Sequence, residues 1–174
     1  MKILHYLLLA LLFTSCQAVR VQTDYQNETD FTNYATYNYY DDMKTGLGDL
    51  EEKRLIKVLD AAMRNKGLLL SEEPDFLINI QSKMYQAANG NSVGLGVGGG
   101  GRNVGGGLSV GIPITSSKVQ REIIFDFVDS QKEELFWQAI SVSGFNENLS
   151  PTEREDKLVE IVDRVLSKYP PKTK

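Results

Sequence analysis

Val119-Gln120-Arg121-Glu122-Ile123-Ile124-Phe125-Asp126-Phe127-Val128, then Asp129 to Glu133, then Leu135-Phe136-Trp137-Gln138-Ala139 is the stretch that decides the fold. Ile123, Phe125 and Phe127 alternate with Glu122 and Asp126, the period of a strand with one face turned to a core. Asp129 to Glu133 carries turn chemistry, and Leu135, Trp137 and Ala139 resume the same alternation. Two such runs joined by a short polar segment predict an antiparallel hairpin. A sheet that is apolar on one face needs a cover, so helices with matching apolar stripes are expected nearby.

Two segments supply them. Asp49 with Glu52 three residues on has the capping-box arrangement, and Leu55, Ile56, Leu59, Ala62 and Met63 follow at helical spacing. This predicts a helix over 50–66, supported by an Asp60–Arg64 pair and stopped at Lys66-Gly67. Ser150-Pro151-Thr152-Glu153 is the clearest helix start in the chain: a capping serine, proline in the first turn and glutamate at the third position. Leu158, Ile161, Val162, Val165, Leu166 and Tyr169 then make an apolar stripe, with Glu153–Lys157 and Glu160–Arg164 on the outer face, before Pro170-Pro171 ends the helix.

Further strands are expected at Phe31–Tyr40, where Tyr37 and Tyr39 share a face, and after Pro74-Asp75, where Phe76, Ile78, Ile80 and Met84 alternate with Asn79, Gln81 and Lys83. The reading is an α+β two-layer sandwich: a mainly antiparallel sheet of about four strands with two helices on one face.

The N-terminus reads as a processed leader. Lys2 precedes an apolar run from Ile3 to Phe13, too short for the roughly 20 residues of a membrane span but long enough for a secretory signal. Leu11-Leu12-Phe13-Thr14-Ser15-Cys16 closes it like a lipobox, and Cys16 is the chain's one cysteine. The expectation is a signal peptide over 1–15, acylation at Cys16, a polar tether over 16–30, and a single domain over 31–171. Several acyl chains on one residue suffice for stable attachment to a bilayer. Gln17 after the cysteine, rather than aspartate, is similar to lipoproteins sent to the outer membrane of a bacterial envelope.

The formal net charge is −4, or −5 once Lys2 leaves with the leader. An acidic surface without basic clusters argues against nucleic acid and against electrostatic binding to anionic lipid. With one cysteine, no disulfide framework is available.

Most of the chain's fifteen glycines fall within Gly90–Gly111. Gly94, Gly96 and Gly99 satisfy G-x-G-x-x-G, but no helix follows to receive a pyrophosphate, so a dinucleotide site is rejected. Glycine content on this scale reads first as a mobile linker. The alternation of Val93, Leu95 and Val97, and again of Leu108, Val110 and Ile112, supports a second reading, an extended ribbon that contacts an envelope partner.

Catalytic chemistry is sparse. The one histidine, His5, lies in the leader, so Ser-His-Asp and Cys-His catalysis and His/Cys zinc sites have no residues in the mature chain. Asp126, Asp129, Glu133 and Glu134 flank the hairpin turn, and Asp41-Asp42 forms another acidic pair; neither spacing matches a calcium loop. Five of the eight tyrosines lie between Tyr25 and Tyr40 and, with Trp137, read as core before they read as a ligand platform. Asn27-Glu28-Thr29 and Asn148-Leu149-Ser150 match the glycosylation sequon by coincidence in a bacterial export context.

Taken together, Val21-x-x-Asp24-Tyr25, Asp30-Phe31-x-x-Tyr34-x-Thr36-Tyr37-x-Tyr39 and Pro74-Asp75-Phe76-Leu77-Ile78 after Lys66-Gly67 form a composite pattern. Ile123–Asp129, Leu135-Phe136-Trp137-Gln138-Ala139 and the closing Tyr169-Pro170-Pro171 complete it. This pattern resembles the domain-of-unknown-function 4136 lipoproteins over nearly the whole mature chain. Gln138-Ala139 stands where that family often has Arg-Gly. The resemblance implies an α+β envelope lipoprotein and carries no activity, cofactor or catalytic residue with it. The expected role is a non-catalytic binding or scaffolding module held to the bilayer through Cys16, with an envelope protein as candidate partner. A carboxylate-dependent glycan hydrolase and a carrier of small apolar ligands stand as alternatives, and oligomeric state is left open.

Overall fold

The computed structural model describes residues 19–86 and 119–172. In chain order the elements are strand β1 (Arg20–Tyr25), a 3-10 turn (Phe31–Asn33), β2 (Thr36–Tyr39), helix α1 (Asp49–Asn65) and β3 (Leu69–Leu70). Then come β4 (Phe76–Gln86), β5 (Val119–Asp129), β6 (Leu135–Gly144) and helix α2 (Pro151–Leu166). The six strands form one sheet in the order β1-β6-β5-β4-β2-β3.

The α+β class is as expected from the sequence, but the sheet is larger and mixed. β1–β6, β6–β5 and β5–β4 are antiparallel, whereas β2 runs parallel to both β4 and β3. The physical reason is α1: a helix crossing between β2 and β4 returns the chain in its original direction, which enforces a parallel pair. Two strands are additional to those expected. β3 has only two residues, and β1 lies in the segment read as tether, where Arg20–Tyr25 instead pairs with Val142–Trp137. The strand expected over 31–40 is shortened, because Asp30 caps the turn at Phe31–Asn33 by accepting from the Thr32 N–H.

Both helices build their faces as the spacing requires. In α2, Ser150 Oγ accepts from the Glu153 N–H at 3.3 Å while the Glu153 carboxylate accepts from the Ser150 N–H at 2.8 Å. The cap of α1 differs from expectation. Gly48 is its N-cap, and Glu52 accepts instead from Thr45 Oγ1. Asp49, Glu51 and Glu52 still crowd the first turn, where carboxylates favour the helix dipole. At the far end Gly67, at φ +82°, donates to the Arg64 carbonyl, and Leu68 donates to Met63 at 3.1 Å. That is a Schellman stop, and buried Leu68 and Met63 make its apolar closure.

Helix residues Leu55, Leu59, Met63, Leu158, Val162 and Val165 bury themselves with Phe76, Ile78, Ile80, Ile123, Phe125 and Phe127 in one core. The helices therefore cover a single face of the sheet. Trp137, at the β6 end of the core, lies 4.6 Å from Phe127 and 5.2 Å from Tyr169, centroid to centroid. A β-bulge between the pairs Phe127↔Trp137 and Val128↔Leu135 gives β6 one extra residue. Phe136 consequently joins Trp137 inside, and Leu135, expected inward, is exposed. Met84 is also exposed, because β4 outruns the helical cover.

The loop 41–48 blunts one edge of the sheet. Thr45 accepts from the Ser82 N–H at 2.7 Å, and Gly46, at φ +70°, passes so close that a Cβ would stand 2.9 Å from the Ser82 carbonyl oxygen. Gly67 shares the left-handed conformation but has open space around it. Gly67→Ala is expected to cost about 1 kcal/mol from backbone strain alone, and Gly46→Ala about 2 kcal/mol or more. Chemical denaturation followed by Trp137 fluorescence measures both, and equal losses would refute the close-approach argument.

Candidate functional site: the helix-free sheet face

Because both helices lie on one side, no layer covers the other side of the sheet among the described residues. Strand register turns it into ordered rows. Asn79, Asp126, Gln138 and Asp24 lie abreast on β4, β5, β6 and β1, and the next row is Gln81, Ile124, Ile140 and Gln22. A third row is Lys83, Glu122, Val142 and Arg20, and at the opposite end Leu77 stands beside Val128. Ile124, Ile140, Val142, Leu77 and Val128 are only half-buried, so aliphatic surface alternates with amide and charged groups. Gln138 Nε2 donates to Asp126 Oδ1 at 2.7 Å, which fixes the polar row. A shallow groove crosses this face between the β2–α1 loop and the β5–β6 turn, lined by Tyr40, Asp42, Met43, Lys44, Asn79, Gln81 and Asp126.

Cys16 and the insert residues Val93, Leu95, Val97, Leu108, Val110 and Ile112 lie outside the described residues. The structure does place the points where the insert joins the fold. Gln86 and Val119 are register partners at the end of the β4–β5 pair, so the chain leaves and re-enters the sheet at one spot. Exposed Met84 and Tyr85 and half-buried Phe145 stand there.

The acidic residues near the hairpin turn have separate surroundings. Asp126 points to the open face, whereas Asp129 is buried and accepts from the Gln131 and Lys132 N–H groups at 2.9 Å each and from Tyr34 Oη at 2.9 Å. Glu133 adopts φ +57° in the same turn. Burial, then the bond to Asp129, pushes the Tyr34 hydroxyl up to about 12. Among the described residues, no three histidine, cysteine or acidic side chains are grouped to hold a metal ion.

The tyrosines divide between core and polar ties. Tyr37 is buried, and its hydroxyl and that of Tyr39 both donate to Asp60 Oδ1, at 2.8 and 2.7 Å. Burial first, then these bonds, raise both hydroxyls above the ordinary tyrosine range. Asp60 thus holds α1 to β2, while Arg64 Nε reaches the Asp60 carbonyl at 3.4 Å. The residue that the alternation conceals is Arg121. It sits on the inner face of β5, pairs with Glu51 at the start of α1, and lies 4.1 Å over the Phe145 ring. An arginine in an otherwise apolar series was the available signal, and its partner is seventy residues away in sequence.

Among the described residues no helix is long and apolar enough to cross a membrane. No curated protein matches the sequence. A crystal structure of a PDZ domain protein from Parabacteroides distasonis ATCC 8503 is similar in fold, with a TM-score of 0.55 at 13% identity. The similarity covers 95% of this chain and 39% of that one, so this chain spans well under half of its length. The PelC dodecamer from Paraburkholderia phytofirmans gives a TM-score of 0.46 at 8% identity, over 89% of this chain and 99% of that one. A point variant of the PelC dodecamer from the same organism gives 0.43 at 9% identity, over 86% and 95%. A family profile described as Domain of unknown function (DUF4136) matches residues 21–171, nearly all of the folded chain. The protein belongs to the DUF4136 family.

Proposed function

We propose that this protein is a lipid-anchored envelope module that binds or scaffolds another envelope component, and that it does so through the helix-free sheet face. The observation that carries the reading is the one-sided covering of the sheet. Half-exposed Ile124, Ile140, Val142, Leu77 and Val128 are interleaved with Asn79, Asp126 and Gln138, a mixture suited to a protein surface rather than to lipid tails. The lipobox ending at Cys16 supplies the anchor, and Gln17 supports the outer membrane as its destination. With β1 beginning at Arg20, only Gln17 to Val19 separate the anchor from the sheet. The four Cα steps from Cys16 to Arg20 span at most about 14 Å, so the domain rides close to the bilayer.

The aromatic packing between sheet and helices favours surface binding over carriage of an apolar ligand within. Glycan hydrolysis needs a carboxylic acid that holds its proton near neutral pH. Asp75 and Asp129 do the opposite. Burial raises each, but at Asp75 hydrogen bonds from the Ala35 and Thr36 N–H groups and the Thr36 hydroxyl outweigh it, leaving the carboxyl below its ordinary range. At Asp129 the Lys132 N–H, the Tyr34 hydroxyl and the Gln131 N–H have the same net effect. Both are built to stay ionised and to hold turns together.

In cells, Cys16→Ala is expected to move the protein from the membrane fraction to the soluble fraction or to stop its processing; unchanged membrane association would refute the anchor. Photo-crosslinkers at Gln81 and Ile140 are expected to capture a defined protein in intact cells, while the same group at Ala61 or Asp163 on the helices captures none. Capture from the helices alone would overturn the assignment of the face. A carboxyl lowered in the folded state adds stability above its unfolded pKa and loses it as pH falls through the folded value. Asp129→Asn is therefore expected to cost about 2 kcal/mol at pH 7 and to flatten the loss of stability below about pH 4, measured by denaturant titrations across pH. An unaltered acid profile would show that Asp129 does not carry this linkage.

A further inference from the structure

β1 is an edge strand, and the phase of its pairing says what its free side offers. The Gln26 N–H donates to the Phe136 carbonyl at 3.0 Å. Alternation along an antiparallel pair then turns the backbone groups of Arg20, Gln22 and Asp24 toward β6 and those of Val21, Thr23 and Tyr25 away from it. Among the described residues, the only partner for this outward row is Asp24 Oδ1, which accepts from the Tyr25 N–H at 2.9 Å. Among the described residues no loop lies along this edge comparable to the one that covers β4 at Ser82. An uncovered strand of this kind is a template for another strand.

The side chains specify which strand. Arg20, Gln22 and Asp24 lie on the helix-free face, beside Val142, Ile140 and Gln138. A second β1 placed antiparallel, with Gln22 opposite Gln22, brings Arg20 opposite Asp24 and Asp24 opposite Arg20. The pattern is its own complement, and the two-fold axis generates two ion pairs from one. In this register the outward groups of Val21 meet those of Thr23 in both directions, as ladder bonds require. Arg20, Gln22 and Asp24 then occupy the non-hydrogen-bonded positions, where facing side chains approach most closely. Shifting by one residue to centre on Thr23 puts Gln22 opposite Asp24 and loses both ion pairs. On the helical side, Glu160 accepts from the Val19 N–H at 3.5 Å and pairs with Lys157 and Arg164, so the flank beside β1 carries both signs.

We infer that a second copy of this chain is the occupant of the β1 edge, joined in the Gln22-centred register so that the two sheets become one of twelve strands with a continuous helix-free face. This differs from the binding role of that face, since it concerns the edge and holds whether or not the face has a partner.

The test uses the full chain in cell membranes, with disulfide capture. Facing residues at a non-hydrogen-bonded pair have Cα atoms roughly 4.5 Å apart, within disulfide reach. Gln22→Cys is expected to give a disulfide-linked dimer under mild oxidation, well above the background of the unsubstituted chain and of Asp41→Cys, an exposed loop position. Adding Arg20→Asp, which sets acid against acid twice, is expected to lower the dimer yield about tenfold, and adding Asp24→Arg as well is expected to restore it. Arg20 and Asp24 are four residues apart on one extended strand, about 13 Å, and do not reach one another within a copy. Rescue by the double exchange therefore reports a contact between copies. Gln22→Cys yields no higher than Asp41→Cys, or failure of the exchange to rescue, would overturn the proposal. All four positions are exposed, and Trp137 fluorescence verifies that each variant is folded.

Discussion

The arrangement of aromatic rings between sheet and helices is the constraint on which the rest of this structure depends. Phe76, Phe127, Phe136, Trp137 and Tyr169 pack edge to face or tilted with centroid separations from 4.6 to 6.5 Å, and Tyr34 stacks on Phe136 at 4.0 Å. Rings of this size, each stabilising by about 2–3 kcal/mol when buried, commit one face of the sheet to the core. The bulge in β6 serves that commitment by turning two consecutive aromatics inward. The described residues form two α-helices, and both are drawn to the aromatic side. The bare opposite face is a consequence of where the rings went.

Polar chemistry inside the fold is almost wholly structural. Asp60 holds two tyrosines, Asp129 holds a tyrosine and a turn, Asp75 joins the start of β2 to that of β4, and Glu51 receives the arginine of β5. Each of these carboxylates accepts from a donor on a different element or turn, so it ties together parts of the fold that are distant in sequence. The polar groups outside these ties are on the open face, where Asn79, Asp126, Gln138 and the neighbouring aliphatics are held by register rather than by burial.

Much of this was legible in the chain. Alternation in β4 and β5, the helical stripes, the capping box at Ser150 and the glycine stop at Gly67 are local signals, and local physics decides them. What escaped was set by distant partners. Around β1, Val19, Val21 and Tyr25 alternate with Arg20, Gln22 and Asp24, but a run this short beside the polar segment 26–30 becomes a strand only by pairing with β6. β3 is too short for any period, and Leu135 faces out because a bulge in β6 shifts the phase. Parallel pairing of β2 with β4 follows from a crossover that no single segment contains. The site was less legible than the fold: an uncovered face is a property of where two helices dock, and the rows that cross it exist only once four strands are in register.

The adjacency of Gln86 and Val119 has a consequence for how this fold tolerates change. A connection whose two ends already stand opposite one another in adjacent strands does not have to span any distance, so its length is uncoupled from the geometry of the sheet. Each doubling of such a loop adds only about 0.6 kcal/mol of closure entropy. The tip of the β4–β5 pair is thus a permissive port, where whole segments of unrelated sequence can be spliced, shortened or exchanged while the aromatic layer beneath remains undisturbed.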